Sequence, residues 1–378
     1  MEKFLPEICT IQYGFPFDSA KFSTSEGMPL IRIRDVVRGY SETFTTEEYK
    51  EEYIVNKDDL LIGMDGEFNI AKWGKNPALL NQRVCRLLPM PEVDKNYLFY
   101  FMPSALKRIE EKTPFVTVKH LSAKELNKVK VPLPPLDAQR RIAAVLDKVS
   151  GLIAKRREQL RKLDELVKAR FVEMFGDEHG FGRWPCGKVA DVADVCVGVV
   201  IKPTQYYAEE GVRAFRSLNI GPMYVKDNDW IYFSQGGHLK NQKSVIHKND
   251  VLVVRSGAPG TACVATEEYD GCNAVDIIIA RPDTNKVNSV FLAMFTNLPH
   301  GMNQIQERTG GAAQQHFNVG GYKALTLIMP PLGRQNEFAL FFEQSNKSKL
   351  TIQQNLDKLE VLKKALMQQY FGLGGDLL

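Results

Sequence analysis

Apolar residues recur twice along this chain in alternating steps of three and four. From Leu136 to about Phe175 the stripe holds Leu146, Val149, Ile153, Leu160, Leu163 and Val167; Arg156 fills one of its positions and Arg170 extends it. Further on, Phe342, Ile352, Leu356, Leu359, Leu366 and Tyr370 occupy the same lattice, interrupted by Ser345, Lys349 and Lys363. Steps of this kind form a heptad seam rather than the broader stripe of a globular helix. Pro132, Pro134 and Pro135 stop any helix before the first stripe. Asp137 is placed to cap it, and Gly176 to end it. About 38 residues rising 1.5 Å each make a rod of roughly 57 Å.

The remaining pattern is shorter. Residues 1 to about 130 alternate brief apolar runs with turn residues, as in Asp59-Leu60-Leu61-Ile62-Gly63 and Val84-Cys85-Arg86-Leu87-Leu88. In Leu30-Ile31-Arg32-Ile33-Arg34 the isoleucines alternate with arginines, which predicts a half-buried strand with one polar face. Leu98 to Ile109 reads as a helix. Residues about 184 to 326 have the same mixed, β-rich character.

The two helical stretches are copies. From His120 and His316 onward they align without a gap at a constant offset of 196. The alignment runs through Pro134-Pro135-Leu136-Asp137-Ala138-Gln139 against Pro330-Pro331-Leu332-Gly333-Arg334-Gln335, and on to Phe175-Gly176 against Phe371-Gly372. Upstream the offset drifts from roughly 184 (Gly14/Gly198) to roughly 191 (Asp59/Asp250), with Gly257 matched to Gly66 and Asn273 to Asn81. This is a duplicated domain, since so long a period excludes a solenoid. The helices match closely and the globular parts do not, so the helices share one task while the globular parts are free to bind different things. Equal lengths and matching registers predict that the helices pack on each other as an antiparallel coiled coil with one globular domain at each end. The alternative is that each helix packs on its own globular domain.

Composition narrows the class. The 378 residues are 44% hydrophobic and 25% charged, as in an ordinary globular protein with room for two or three domains. A net charge of +4 permits a polyanion partner without demanding one. Six scattered cysteines with no CxxC pair argue against a zinc site or a disulfide framework. No apolar run suits a signal peptide or a membrane span, and the expectation is a reduced, cytoplasmic protein.

No catalytic constellation is visible. Ser256-Gly257-Ala258-Pro259-Gly260-Thr261 is glycine-rich but lacks the lysine of a phosphate loop. Asn76-Pro77-Ala78-Leu79 lacks the second proline and the aromatic residue with which an amino-methyltransferase grips a flipped base. Pro282-Asp283 has no Glu-x-Lys partner and reads as a turn after Ile277-Ile278-Ile279. The six histidines have no metal-ligand spacing.

The plan of globular part, Pro-Pro-Leu-x-x-Gln helix, second globular part and second such helix resembles the specificity subunit of type I restriction–modification systems, over the whole chain. Gly14-Phe15-Pro16-Phe17, Gly198-Val199-Val200-Ile201-Lys202-Pro203 and Phe171-Val172-Glu173-Met174-Phe175-Gly176 carry the likeness further. At the second helix entry, Gly333-Arg334 departs from the usual acidic neighbourhood. The resemblance implies an α+β fold: two mixed β-rich target recognition domains (residues 1–133 and 179–329), each followed by a spacer helix (134–178 and 330–378), the helices forming a long antiparallel two-helix coiled coil. It implies that each domain reads half of a split, asymmetric double-stranded DNA sequence. Half-sites about one helical turn, roughly 34 Å, apart suit such a ruler. The helices would dock two modification (methyltransferase) subunits, and restriction (translocase and nuclease) subunits would join. S-adenosylmethionine, ATP and Mg are then expected in those partners and no cofactor in this chain. Two rivals remain: an enzyme with an unusual site, and a coiled-coil scaffold that holds two proteins apart without touching DNA.

Phosphate contacts need Lys and Arg, and base edges are read by Arg, Lys, Asn, Gln or His on a projecting element. The candidates in the first half are Arg32, Arg34, Lys72, Trp73, Lys119 and His120. In the second half they are Lys202, Tyr206, Tyr207, Arg216, His238, Lys240, Lys243, Arg255, Gln314, Gln315 and His316. Two polar, glycine-bearing loops stand out, Gln235 to Lys243 and Thr309 to His316, the second matching Thr113 to His120. Each residue taken singly also reads as ordinary solvated surface. Lys155-Arg156-Arg157 and Arg161-Lys162 could meet spacer phosphates, or equally form a solvated face or a partner-docking surface.

Overall fold

The computed structural model describes residues 2–113, 119–177, 179, 183–309 and 316–372. The chain divides into two compact units, Met1–Arg157 with Gln354–Leu378, and Glu158–Gln353. Both divisions fall inside a long helix.

The first unit holds β1 (Glu2–Phe4), β2 (Cys9–Tyr13), β3 (Phe22–Ser23), β4 (Met28–Ile31), α1 (Ile33–Arg38), β5 (Phe44–Thr45), β6 (Ile54–Val55), β7 (Leu60–Gly63), β8 (Asn69–Lys72), β9 (Ala78–Leu80), β10 (Val84–Pro89), α2 (Lys95–Lys112), α3 (Ala123–Asn127) and β11 (Lys130–Pro132). The first long helix is α4 (Leu136–Phe175). The second unit holds β12 (Cys186–Lys188), β13 (Ala193–Val197), β14 (Tyr207–Ala208), β15 (Val212–Phe215), β16 (Ile220–Gly221), β17 (Tyr224–Val225), β18 (Ile231–Phe233), α5 (Gln235–Lys240), β19 (Val251–Val254), β20 (Ala262–Val264), β21 (Asn273–Ala274), β22 (Ile277–Pro282), α6 (Ser289–Asn297), α7 (Pro299–Thr309), α8 (Val319–Lys323) and β23 (Thr326–Ile328). The second long helix is α9 (Leu332–Phe371).

The units repeat one topology. The first has an antiparallel sheet β2-β10-β7-β8, and the second β13-β22-β19-β20. A strand pair flanks each sheet, β1-β11 and β12-β23. Each unit then carries a second sheet of shorter strands, β3-β5-β4-β9-β6 and β14-β18-β15-β21, matching in order over four strands, in which β4 pairs β9 and β15 pairs β21 in parallel. Chain crossing explains the glycine pair. Gly14 N–H donates to Val84 O and Gly198 N–H to Ile277 O. A Cβ would meet Asn81 O at 2.1 Å in one copy and Ala274 O at 2.5 Å in the other. Asp58 and Asn249 are both left-handed, at φ 68° and 71°. The carboxylate that follows accepts a backbone N–H in each copy, Asp59 from Asn56 and Asp250 from His247.

Four sequence expectations change. The strand at residues 30–34 ends at Ile31. Asp35 accepts the Arg32 N–H at 2.9 Å, and this cap turns Ile33–Arg38 into a helix. Asp137 lies inside the first turn of α4, and Pro135 O takes the first helical N–H groups instead. Asn273 matches Leu79 rather than Asn81, because Ala214 and Phe215 pair Asn273 and Ala274 as Leu30 and Ile31 pair Leu79 and Leu80. Gln235 to Lys240 is a helix, not a loop, capped by the Ser234 hydroxyl accepting from Gly237 N–H.

In each unit the segments of α4 and α9 run antiparallel. In the first unit, Arg157 pairs with Glu360 at 2.7 Å while Leu146, further back on α4, shares a core with Phe371. In the second unit, Asp164 pairs with Lys349 at 2.5 Å, and Arg170, further along, with Glu337 at 3.2 Å. Leu146, Val149, Ile153, Val167 and Leu356 are buried as the heptad pattern requires. The helix ends also enter the globular cores. Phe171 and Phe175 pack on Phe291 and Phe338, and Phe371 packs on Tyr97 and Phe101. Helix on helix and helix on globular part therefore both occur.

Candidate nucleic-acid interface

The first unit commits most of its candidate side chains internally. Trp73 is 1% exposed, and its indole N–H donates to Asn76 O. It is a core residue and presents no face to a base, which corrects its reading as a contact. Lys72 lies over the Phe99 ring and 4.0 Å from Asp147. Lys119 pairs with Glu110 at 3.6 Å. His120 Nδ1 meets Asp65 Oδ1 at 2.5 Å, with Arg83 beside both. Arg34 reaches Thr43 Oγ1 and Asp35. Arg32, at the start of α1, is exposed and forms no ion pair among the described residues.

The second unit keeps more cations free. Ser234 N–H donates to Tyr206 O at 2.9 Å, and a Cβ on Gly237 would lie 2.9 Å from Tyr206 Cβ. This close approach packs α5 on the short 3-10 turn Pro203–Tyr206. Lys202, Tyr206 and Tyr207 are thus brought beside α5, with both tyrosine rings against Phe233. Lys202 holds a left-handed backbone at φ 46°, a conformation uncommon for a residue with a side chain. Lys202, Lys240 and Lys243 are exposed and form no ion pair among the described residues.

Other candidates are held as struts. His238 Nδ1 meets Asn273 Oδ1 at 2.7 Å. Arg216 donates to Asp229 O. Arg255 is 9% exposed, donates to Phe317 O at 3.2 Å and pairs with Asp276 at 2.5 Å. Its reading as a DNA contact is corrected, because its guanidinium is spent inside the fold. Arg255 also faces His316 Nε2 at 2.5 Å, and His316 Nδ1 meets Ser256 Oγ at 2.6 Å. A guanidinium only donates, so Nε2 must accept and the ring proton lies on Nδ1, pointing at Ser256. The serine is an acceptor there, not an activated nucleophile. Gln314 and Gln315 lie outside the described residues, as does most of each of the segments 113–120 and 309–316.

Some structural residues were passed over in the sequence. Arg86, 8% exposed, donates to Asp59, Gln12, Ile54 O and Glu52 O. Arg281 donates to Lys243 O and Val245 O and lies 3.6 Å from Asp250. The two arginines staple matching turns from unmatched positions on their strands, so no simple offset relates them. Burial pushes the thiols of Cys9, Cys85 and Cys263 up to about 12, which removes them as nucleophiles at neutral pH. Among the described residues no cluster of His, Cys, Asp or Glu could hold a metal ion, and no helix is long and apolar enough to cross a membrane.

Residues 1–162 match the family model for the type I restriction modification DNA specificity domain. The chain is 28% identical over 371 residues to the type I restriction enzyme EcoBI specificity subunit of Escherichia coli, covering 90% of this chain and 78% of that one. It is 28% identical over 341 residues to the MjaIX specificity subunit of Methanocaldococcus jannaschii, covering 83% and 77%. The structure of the S subunit of a type I system from M. genitalium superposes with a TM-score of 0.63 at 13% identity, covering 100% of this chain and 96% of that chain. A structure described for complex assembly and conformational transition of the type I R-M system gives 0.56 at 16% identity, covering 98% and 97%. With its duplicated units and its paired Pro-Pro-Leu-x-x-Gln helices, the chain is similar along most of its length to the specificity subunits of type I restriction–modification systems and shares their fold.

Proposed function

We propose that this chain is the non-catalytic subunit that selects the DNA sequence. Each globular unit is a target recognition domain for one half of a bipartite, asymmetric site. One observation carries the reading: the two units share a framework but project different elements from it. After β5 the first unit runs to the 3-10 turn Glu51–Tyr53 without a helix, whereas the second inserts α5 at that point. Equal frames with unequal projections suit a target whose halves differ.

Phosphate contacts by free lysines give salt-dependent affinity, and base-edge contacts give the sequence choice. The long helices dock two methyltransferase subunits, to which translocase and nuclease subunits are added. Leu166, Leu340, Leu350 and Val361 are at least half exposed on those helices, which supports partner docking. S-adenosylmethionine, ATP and Mg belong to those partners, and the complex works in the cytoplasm.

The test is co-expression with the methyltransferase subunit encoded beside it, followed by mapping of methylated adenines. The expected result is methylation at one split, asymmetric motif that disappears when this chain is deleted. Exchanging residues 1–133 should change one half of the motif only. Methylation indifferent to the deletion would sink the recognition role. DNA binding that is absent at low salt even with the partner present would favour a scaffold.

A further inference from the structure

The segment Gln235 to Lys243 sorts into two sets of side chains. Asn241 donates to Gly237 O at 2.7 Å and Gln242 to His238 O at 3.0 Å, while His238 is held by Asn273. Ser244 donates to Asn241 O and meets the Asn273 amide. These groups hold α5 in place. Gln235, Lys240 and Lys243 remain exposed, without a side-chain partner among the described residues. Beside Gln235, Gly236 has nothing within 4 Å of where a Cβ would stand. The start of α5 is therefore narrow and open, while Gly237, on its inner side, is locked onto Tyr206.

We infer that Gln235 is a base-reading residue of the second unit, contacting an adenine edge in the major groove, and that Lys202, Lys240 and Lys243 grip the flanking phosphates. This rests on the DNA-recognition reading above. A glutamine amide offers a donor and an acceptor in one plane, which matches adenine N7 and N6. Lysine ammonium groups are point charges and suit phosphate. Gln235 stands exposed on α5, and Gly236 beside it leaves a groove wall room to approach. His238 and Arg255, which the sequence made equal candidates, rank behind Gln235: His238 Nδ1 is held by Asn273 and the Arg255 guanidinium by Asp276 and Phe317 O.

The decisive experiment compares wild type, Gln235→Ala and Lys240→Ala, each co-expressed with the methyltransferase partner. Motifs are mapped in host DNA, and the purified complexes select from a library randomised in each half-site. Wild type must first yield a split motif; if it does not, the recognition reading fails and Gln235 is not the cause. Given that motif, Gln235→Ala should lose discrimination by on the order of tenfold at one base pair, an adenine in one half-site, with the other half unchanged. Lys240→Ala should weaken binding to all sequences alike and lower the slope of log K against log salt by about one. A Gln235→Ala complex that selects the wild-type sequence with wild-type stringency would overturn the inference. So would a discrimination loss confined to a G·C pair. Should Gln235→Ala abolish methylation in the cell, the library selection still decides the matter.

Discussion

Gln139 Oε1 accepts the backbone N–H of Asp94 at 2.9 Å, and Asp94 is the residue that caps α2. The amide of Gln139 donates to Glu92 O at 3.1 Å and to Pro134 O at 2.8 Å, with the side chain 1% exposed. In the second unit Gln335 accepts from Asn288 N–H at 2.9 Å, where Asn288 caps α6, and donates to Pro330 O at 2.8 Å. The glutamine of each Pro-Pro-Leu-x-x-Gln entry thus ties the start of a long helix to the start of a globular one.

Replacing Gln139 by Leu leaves one N–H and two carbonyls, all in part-buried surroundings, without their partner. An orphaned group costs about 1–3 kcal/mol when buried and less where water reaches it, so the variant should lose about 1–3 kcal/mol of stability in all. Gln335→Leu should behave alike. Urea unfolding of the purified proteins checks both, and a loss below about 1 kcal/mol would mean that water replaces the glutamine.

Gly14→Ala and Gly198→Ala should each destabilise by about 1–3 kcal/mol or more, because the added Cβ meets backbone that cannot move aside. Gly151→Ala is the control. It lies within α4 with nothing within 4 Å of its Cβ position, and should stabilise by about 0.5–1 kcal/mol. Melting temperatures of the three variants should move in those opposite directions.

Arg255→Met separates strut from contact. Removing the cation strands Asp276 and the Phe317 carbonyl, and an orphaned polar group costs about 1–3 kcal/mol where it is buried. Because Asp276 is partly exposed, the lower end is expected. The folded fraction should retain the wild-type motif. A shifted motif without a stability loss would restore Arg255 as a base reader.

Lys363 lies on the seam, where burial first and Arg157 second push its ammonium below the ordinary lysine range. A base held below its unfolded pKa carries its cost at every pH where the folded group is charged. That cost fades as pH rises towards the ordinary lysine value. Lys363→Met should therefore raise the melting temperature at pH 7 by a degree or so, roughly, given its partial exposure. The gain should shrink at pH 10. An equal gain at both values would assign the effect to packing instead.

Features set by local spacing were legible in the chain. The seam residues Leu146, Val149, Ile153, Val167 and Leu356 follow from periodicity, and the equivalence of Gly14 with Gly198 follows from duplication. The equivalence of Asp59 with Asp250 also follows from duplication; the left-handed residue before each and the N–H that each carboxylate accepts appear only in the structure. Trp73 and Arg255 were misread because a polar or basic flank looks the same in sequence whether its partner is solvent or a distant carbonyl. The helical state of Gln235–Lys240 was hidden by its two glycines, whose low helix propensity is overridden by the Ser234 cap and by packing on Tyr206.

By itself the sequence determined that the protein is a duplicated α+β chain with two long helices, since period and repeat are properties of neighbouring residues. Which cations face solvent was decided only by the tertiary structure. Arg86 and Arg281 become staples, and Lys202, Lys240 and Lys243 stay free, because long-range folding brings acceptors to some charges and not to others. Desolvation makes an unpaired buried charge costly, so the fold spends its inner cations on struts and leaves the remainder for a partner.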